Sequence, residues 1–243
     1  WDSTVKWHTE AWFHHDFDVA PDGSIYVLAN TIGHLPVRGV VLPYTDDLIV
    51  ELDREGRWVR ARSVGQLLQD HITAAQRDRL YADFADDGRV EFGAEKATDI
   101  THTNTIAVLD ADLDVAPAGS ILICSRYLNL IAIVDARLQR VLWSWGQGQL
   151  QGPHHPTLLP NKRLLIFDNG LQRGRSRLVE LDPTKKTIVW EYNPGKSAFF
   201  SATRGSAQRL PGGNTLVAES DRGRLFEITR EREVVWEYWT PTT

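Results

Sequence analysis

Leu158-Leu159-Pro160-Asn161, Arg163-Leu164-Leu165-Ile166-Phe167, Arg177-Leu178-Val179-Glu180-Leu181 and Thr187-Ile188-Val189-Trp190-Glu191-Tyr192 follow one another along the chain. Turn-forming residues close each run: Pro160-Asn161, Asp168-Asn169-Gly170, Asp182-Pro183 and Asn193-Pro194-Gly195. Short β-branched and aromatic runs bounded by Gly, Pro, Asn and Asp are the signature of strands. The unit is therefore four strands, a to d, with strand a leading into Leu158-Leu159.

The unit recurs. Residues 214–219, 224–228 and 234–239 form a later copy. Residues 120–125, 130–135 and 141–145 form an earlier one, and 24–29, 48–52 and 58–62 the first. The turn between strands a and b carries Pro21, Pro117, Pro160 and Pro211 in turn. Their spacing fits a period of roughly 40–50 residues, the first interval spanning about two periods, which marks a propeller or solenoid. Strand b is apolar throughout, as befits an inner strand covered on both faces, whereas strand c alternates. The expectation is an all-β chain, a β-propeller with four-stranded blades, organised as a single domain over 1–243. Residues 4–9 read as an orphan strand d, so about four and a fraction blades are visible and N-terminal blade sequence is expected to be missing. The start at Trp1 and the absence of Met point the same way: a signal, an anchor or further repeats are expected to precede it.

One segment breaks the pattern. Leu67, Leu68, Ile72, Ala75, Leu80 and Phe84 fall at helical spacing, and Ser63 with Gln66 reads as a capping box. A helical insertion over 63–96 between the first two blades follows. It either covers a face of the propeller or decorates it as a loop.

Bulk properties narrow the partners. With 243 residues the chain has ample length for a buried core, and 42% of them are hydrophobic. A net charge of −5 gives no reason to expect nucleic acid, and no apolar run is long enough to span a bilayer. A single cysteine, Cys124, excludes an intrachain disulfide and a Cys-based zinc site. It sits in the apolar run Ile121-Leu122-Ile123-Cys124, the setting of a buried, inert thiol.

The histidines are the candidate chemistry. Strand a of each blade lines the central channel, so residues just ahead of each proline turn face one funnel. His15 and His154 lie equally far ahead of Pro21 and Pro160, and His102 opens the second blade. Arg204 stands ahead of Pro211, and Arg126 ends strand b of the second blade. Neighbours on a strand point to opposite faces, so one member each of His14-His15 and His154-His155 faces away. His8, His34 and His71 share no such register.

Phe13-His14-His15-Asp16 with its Pro-Asp-Gly turn, Asp99-Ile100-Thr101-His102-Thr103-Asn104, Ser125-Arg126, Gly152-Pro153-His154 and Phe167-Asp168-Asn169-Gly170 together resemble the bacterial arylsulfotransferases. These enzymes do not use the adenosine phosphosulfate donor. The resemblance runs from about Phe13 to Trp236. It implies a six-bladed propeller, a site in the central channel, and ping-pong transfer of a sulfuryl group from an aryl sulfate to a phenol. His154 would be the nucleophile and carry a sulfohistidine. His102, Arg126 and His15 would join it in catalysis, and Asn104 would contact the sulfate; apart from the resemblance, strand register adds Arg204, and adjacency to the favoured positions adds His14 and His155, as substrate contacts. No cofactor or metal is implied, and a periplasmic or extracellular location is. The chain departs from the family where His155-Pro156 follows His154, and the disulfide of well-known members cannot form.

The residue types suit that chemistry. Sulfuryl transfer, like phosphoryl transfer, proceeds through a loose transition state helped by positioning and electrostatics. A guanidinium fork fits sulfate oxygens, and a neutral imidazole is a nucleophile near pH 7. Two other readings stand beside it. Three histidines can also bind a divalent metal for a channel-centred hydrolase or lyase. A propeller can also be a non-catalytic module that binds a protein partner.

Overall fold

The computed structural model describes residues 3–87, 98–195 and 198–241. They form four separate four-stranded antiparallel sheets, each built from consecutive strands. The first contains β1 (Phe13–Val19), β2 (Ile25–Val37), β3 (Val40–Leu52) and β4 (Trp58–Ser63). The second contains β5 (Thr103–Val108), β6 (Ile121–Ser125), β7 (Leu130–Val134) and β8 (Val141–Trp145). The third contains β9 (His154–Leu158), β10 (Leu164–Asp168), β11 (Arg177–Asp182) and β12 (Thr187–Tyr192). The fourth contains β13 (Ser206–Arg209), β14 (Thr215–Glu219), β15 (Arg224–Ile228) and β16 (Val234–Trp239). Each sheet packs face to face on the next in chain order, which is the arrangement of β-propeller blades.

Burial follows the strand patterns. Every residue of β6 and of β10 is buried, because these second strands are covered on both faces. One apolar cluster joins the first blade to the second, another the second to the third, and a third the third to the fourth. Polar stitches tie the innermost strands together. Asp16 and Asp18 of β1 accept the backbone N–H groups of Ile106 and Val108 in β5 at 3.1 and 2.8 Å. Thr105 of β5 accepts the N–H of His155 in β9 at 3.0 Å.

Two stretches differ from the sequence expectation. Residues 4–9 form no strand; instead Trp7 donates its indole N–H to the Arg54 carbonyl at 3.0 Å and anchors the segment on the β3–β4 turn. β2 and β3 each run for 13 residues, well past their counterparts, and pair without a break from Ile25↔Leu52 to Val37↔Val40. Arg38 and Gly39 both have positive φ, the condition for the tight turn that joins such a hairpin. An Arg-Gly pair is a weaker sequence signal for that turn than Asn-Gly, so the extension was not legible.

Between the first and second blades lie α1 (Val64–Leu67), a short 3-10 turn and α2 (Ala74–Asp87). Ser63 caps α1 by accepting the Gln66 N–H at 2.9 Å. The reciprocal box belongs to α2: Gln76 accepts the Thr73 N–H at 2.8 Å and Thr73 accepts the Gln76 N–H at 3.3 Å. Leu68, Ile72 and Leu80 pack on Leu35, Leu42 and Tyr44 of the long hairpin, so helices and hairpin form one body. The rest of the expected insertion, residues 88–96, lies outside the described residues. Among the described residues no helix is long and apolar enough to cross a membrane.

Candidate functional site

In each blade the start of the first strand lies beside the end of the second. Thr103 pairs with Ser125, and His154 with Phe167. His102 therefore neighbours Arg126, whose N–H donates to the His102 carbonyl at 3.0 Å, and His154 neighbours Asn169. The innermost strands of the first three blades carry register shifts at this end. His15, His102 and His155 adopt positive φ there, a strained state for a non-glycine residue.

His154 is the most tightly specified side chain. Its Nδ1 lies 2.7 Å from Asn169 Oδ1 and 3.1 Å from the Gly152 carbonyl. Asn169 donates its amide N–H groups to the carbonyls of Ser201 and Arg204, at 2.7 and 2.9 Å, so its oxygen is the atom facing the ring. Nδ1 thus meets two acceptors and must be the protonated nitrogen, which leaves the lone pair on Nε2. Burial pushes the His154 pKa down to about 4, the two hydrogen bonds resist, and Arg126 and His102 push the same way as burial. The ring is therefore neutral near pH 7. Gly170 turns the chain immediately after Asn169; at φ 70° a Cβ there would lie 1.8 Å from the Arg175 carbonyl oxygen.

His102 has a different partner. Asp99 Oδ2 lies 2.6 Å from its Nδ1, and Asp99 Oδ1 accepts its backbone N–H at 2.8 Å. The ring packs edge-on against His15, with centroids 4.9 Å apart, and lies tilted against Tyr127 at 4.7 Å. Arg126 lies over the Tyr127 ring at 5.2 Å and lines a small cavity with Asn129, Gln151, Gly152, Leu171 and Gln172. Loss of water on its packed faces, then the His14 and His102 imidazoles, push the His15 pKa down to about 4, even though its outer edge is open to solvent.

The other expected residues fall in different places. His14 turns behind His15: their Nδ1 atoms are 2.6 Å apart, and His14 Nε2 is 3.3 Å from Asp47 Oδ1. Burial works to raise Asp47, but His14, Thr101 and the Thr103 N–H outweigh it and hold the carboxyl below its usual range. Asn104 is buried and employed in the scaffold, donating to the Pro153 carbonyl at 2.9 Å and accepting from Thr105 at 2.9 Å. His155 is half-buried with its N–H on Thr105, close enough to Asp16 to act on its charge. The Arg204 side chain is 75% exposed and points to Asp221 at 3.6 Å; only its carbonyl reaches the site, through Asn169. His15, His102, Arg126 and His154 are thus brought to one mouth, and Asn104, Arg204 and His14 support it. Asp99 and Asn169 lie inside the sequence motifs, but no spacing signal marks them as partners of His102 and His154.

Cys124 is fully buried, donates to the Pro153 carbonyl at 3.2 Å, and burial pushes its thiol well above the usual range. Among the described residues no three His, Cys, Asp or Glu side chains converge as a metal-holding group.

The family model described as "Arylsulfotransferase (ASST)" matches residues 3–240. No curated protein matches the sequence. Among solved structures, a protein of unknown function from Bacteroides caccae is similar at a TM-score of 0.53 and 16% identity, over 94% of this chain and 68% of that one. The Dos1 propeller is similar at 0.51 and 9%, over 96% and 62%. A catalytically inactive virginiamycin B lyase from Staphylococcus aureus with quinupristin is similar at 0.50 and 11%, over 97% and 73%. At these identities the likeness is one of fold, a β-propeller, and the chain spans between 62% and 73% of the length of these structures.

Proposed function

The chain belongs to the arylsulfotransferase (ASST) family, and we propose that it moves a sulfuryl group from an aryl sulfate to a phenol through a sulfohistidine on His154. In the first half-reaction the Nε2 lone pair forms a bond to sulfur as the bond from sulfur to the aryl oxygen breaks, and the departing phenolate takes a proton from a neighbouring imidazole. In the second, that imidazole removes the proton of an incoming phenol. The phenol oxygen bonds to sulfur, the nitrogen–sulfur bond breaks, and His154 returns neutral. Arg126 supplies fixed positive charge for the oxygens of the transferring group. Asn104 holds the strand that carries His154, and His15 closes the mouth beside His102. Family membership supports a periplasmic or extracellular setting.

One observation carries the reading. Nδ1 of His154 faces only acceptors, so the free lone pair is on Nε2 in a ring that burial keeps uncharged. Intact-mass measurement after incubation with 4-nitrophenyl sulfate tests it. The expected result is a mass increase of one SO3, mapped to His154, absent in His154→Ala and discharged by added phenol. An unmodified wild-type protein that releases no 4-nitrophenol would overturn it.

A further inference from the structure

We propose that Asp99 is a positioning residue that makes His102, rather than His15, the proton carrier of the transfer. The inference rests on the sulfuryl-transfer reading and deepens it. Two imidazoles lie near enough for His102 to act on the charge of His154, and each has its Nδ1 engaged. On His154 the partner is a neutral amide oxygen, Asn169 Oδ1 at 2.7 Å; on His102 it is a carboxylate, Asp99 Oδ2 at 2.6 Å. Both arrangements present Nε2 to the site. Only the carboxylate stabilises the positive charge that an imidazole acquires when it holds a proton on each nitrogen. The partner on Nδ1 therefore divides the labour: the amide-backed ring attacks sulfur, and the carboxylate-backed ring gives and takes the proton.

Asp99 is itself held in place. Its backbone lies beside Thr45 of the long β2–β3 hairpin, and the Thr45 N–H donates to the neighbouring Thr98 carbonyl at 3.1 Å. Its second oxygen accepts the His102 N–H at 2.8 Å, which holds His102 in its strained backbone state at φ 43°. Thr101, between them, donates to the buried Asp47 at 2.7 Å. The extended hairpin of the first blade thereby fixes the carboxylate that orients a histidine of the second. Among the described residues no carboxylate hydrogen-bonds to His15, whose Nδ1 meets the His14 ring while Asp47 and Asp99 act on it only through space.

The proton balance closes. His102 enters the first step as an imidazolium, protonated on both nitrogens beside Asp99; as the bond from sulfur to the aryl oxygen breaks, its Nε2 proton passes to that oxygen, leaving His102 neutral with its Nδ1–H on Asp99. In the return step Nε2 accepts the proton of the acceptor phenol as its oxygen bonds to sulfur.

The test uses donors that differ in their need for an acid. 4-Nitrophenolate departs readily without a proton, whereas phenolate does not. Asp99→Asn should slow sulfohistidine formation from phenyl sulfate on the order of 100-fold and from 4-nitrophenyl sulfate less than about tenfold. Equal losses with both donors, or no loss, would overturn the proposal. Nitrogen-15 NMR of the resting wild-type protein, with the His102 signals identified by their loss in His102→Gln, needs no variant of Asp99 and no turnover. Followed across pH, it should show both nitrogens protonated in the acid form and the remaining proton on Nδ1 once the ring is neutral; a neutral ring protonated on Nε2 would overturn the assignment even if Asp99→Asn does not fold. Wild-type protein that forms no adduct from either donor would instead refute the sulfuryl-transfer reading, while the NMR result would still decide whether Asp99 sets the ring.

Discussion

Asn169 Oδ1 lies 2.7 Å from His154 Nδ1, and both amide N–H groups of Asn169 are held by carbonyls of the segment leading into the fourth blade. The amide cannot rotate without breaking both of those bonds. One blade boundary therefore decides which nitrogen of His154 is free to react.

Removing that amide should cost rate before it costs fold. Asn169→Ala leaves Nδ1 with the Gly152 carbonyl alone, and the ring can then turn. Adduct formation on His154 should slow by roughly 10- to 100-fold, the usual loss when an orienting partner is removed. The Ser201 and Arg204 carbonyls lose a donor, so stability should fall by about 1–3 kcal/mol. Single-turnover mass spectrometry beside a urea titration separates the two effects.

The depressed pKa of His154 sets a pH signature. In the folded protein the ring stays neutral until about pH 4, whereas an ordinary histidine is half protonated at 6.5. The acid limb of adduct formation should therefore have its midpoint near pH 4, with the rate nearly unchanged between pH 7 and 5.5. The sign for stability follows. The unfolded chain binds this proton from about 6.5 downward and the folded chain does not, so the contribution of His154 is present above 6.5 and is lost as pH falls toward 4. The gap is worth at most roughly 3 kcal/mol, less for the part of the ring that touches water. His154→Gln should lose less stability than wild type over that interval.

Arg126 tests the anion cradle. Its guanidinium is half-buried over the Tyr127 ring, with Nη1 3.5 Å from the Tyr127 hydroxyl. Arg126→Lys keeps the charge but loses the planar fork and the stacking. The expected result is a fall in kcat/KM of about 10- to 100-fold with His154 still the modified residue, since a bidentate contact to the transferring group is lost. An unchanged kcat/KM for Arg126→Lys would place the anion elsewhere.

The blades were legible because their signals are local. The turns at Pro21, Pro117, Pro160 and Pro211 and the apolar runs of β6 and β10 need only neighbouring residues to declare themselves. His154 and His102 were visible because strand register repeats with the blade. Asp99 and Asn169 were not given roles, because what matters is which ring nitrogen they face, and that depends on bulges and loop turns that carry no periodic signal. Arg204 misled for the same reason: its place in the register was right, but the chain there has Gly205 at φ 142°, and the side chain leaves the channel for Asp221. Tertiary contacts also overrode the strand pattern of residues 4–9, where Trp7 anchors the segment on the Arg54 carbonyl.

Glu180 offers a prediction about the scaffold alone. Its carboxylate is fully buried on β11: Oε1 meets Arg163 at 3.0 Å and Asn161 at 3.3 Å, and Oε2 meets Arg209 at 3.0 Å together with Arg230. Burial alone would raise its pKa, but the arginines, Arg230 foremost, outweigh it and hold the carboxyl below its usual range. Arg209 and Arg230 also stack against Trp190, at 5.3 and 5.2 Å, so the same charges clamp the third blade to the fourth. Glu180→Gln leaves these cations without a counter-charge, and breaking one side of a buried pair typically costs about 3–5 kcal/mol. Arg163 and Arg230 are partly open to water, so the lower end is expected. The loss should shrink in acid, because a depressed carboxylate contributes stability above the unfolded pKa and loses it as pH falls through the folded one. Chemical denaturation at pH 7 and pH 4 measures both. His154 modification should persist in whatever fraction stays folded, because Glu180 shares no contact with His154, His102 or Arg126; a folded Glu180→Gln protein that fails to label would show that the clamp between the last two blades reaches the mouth.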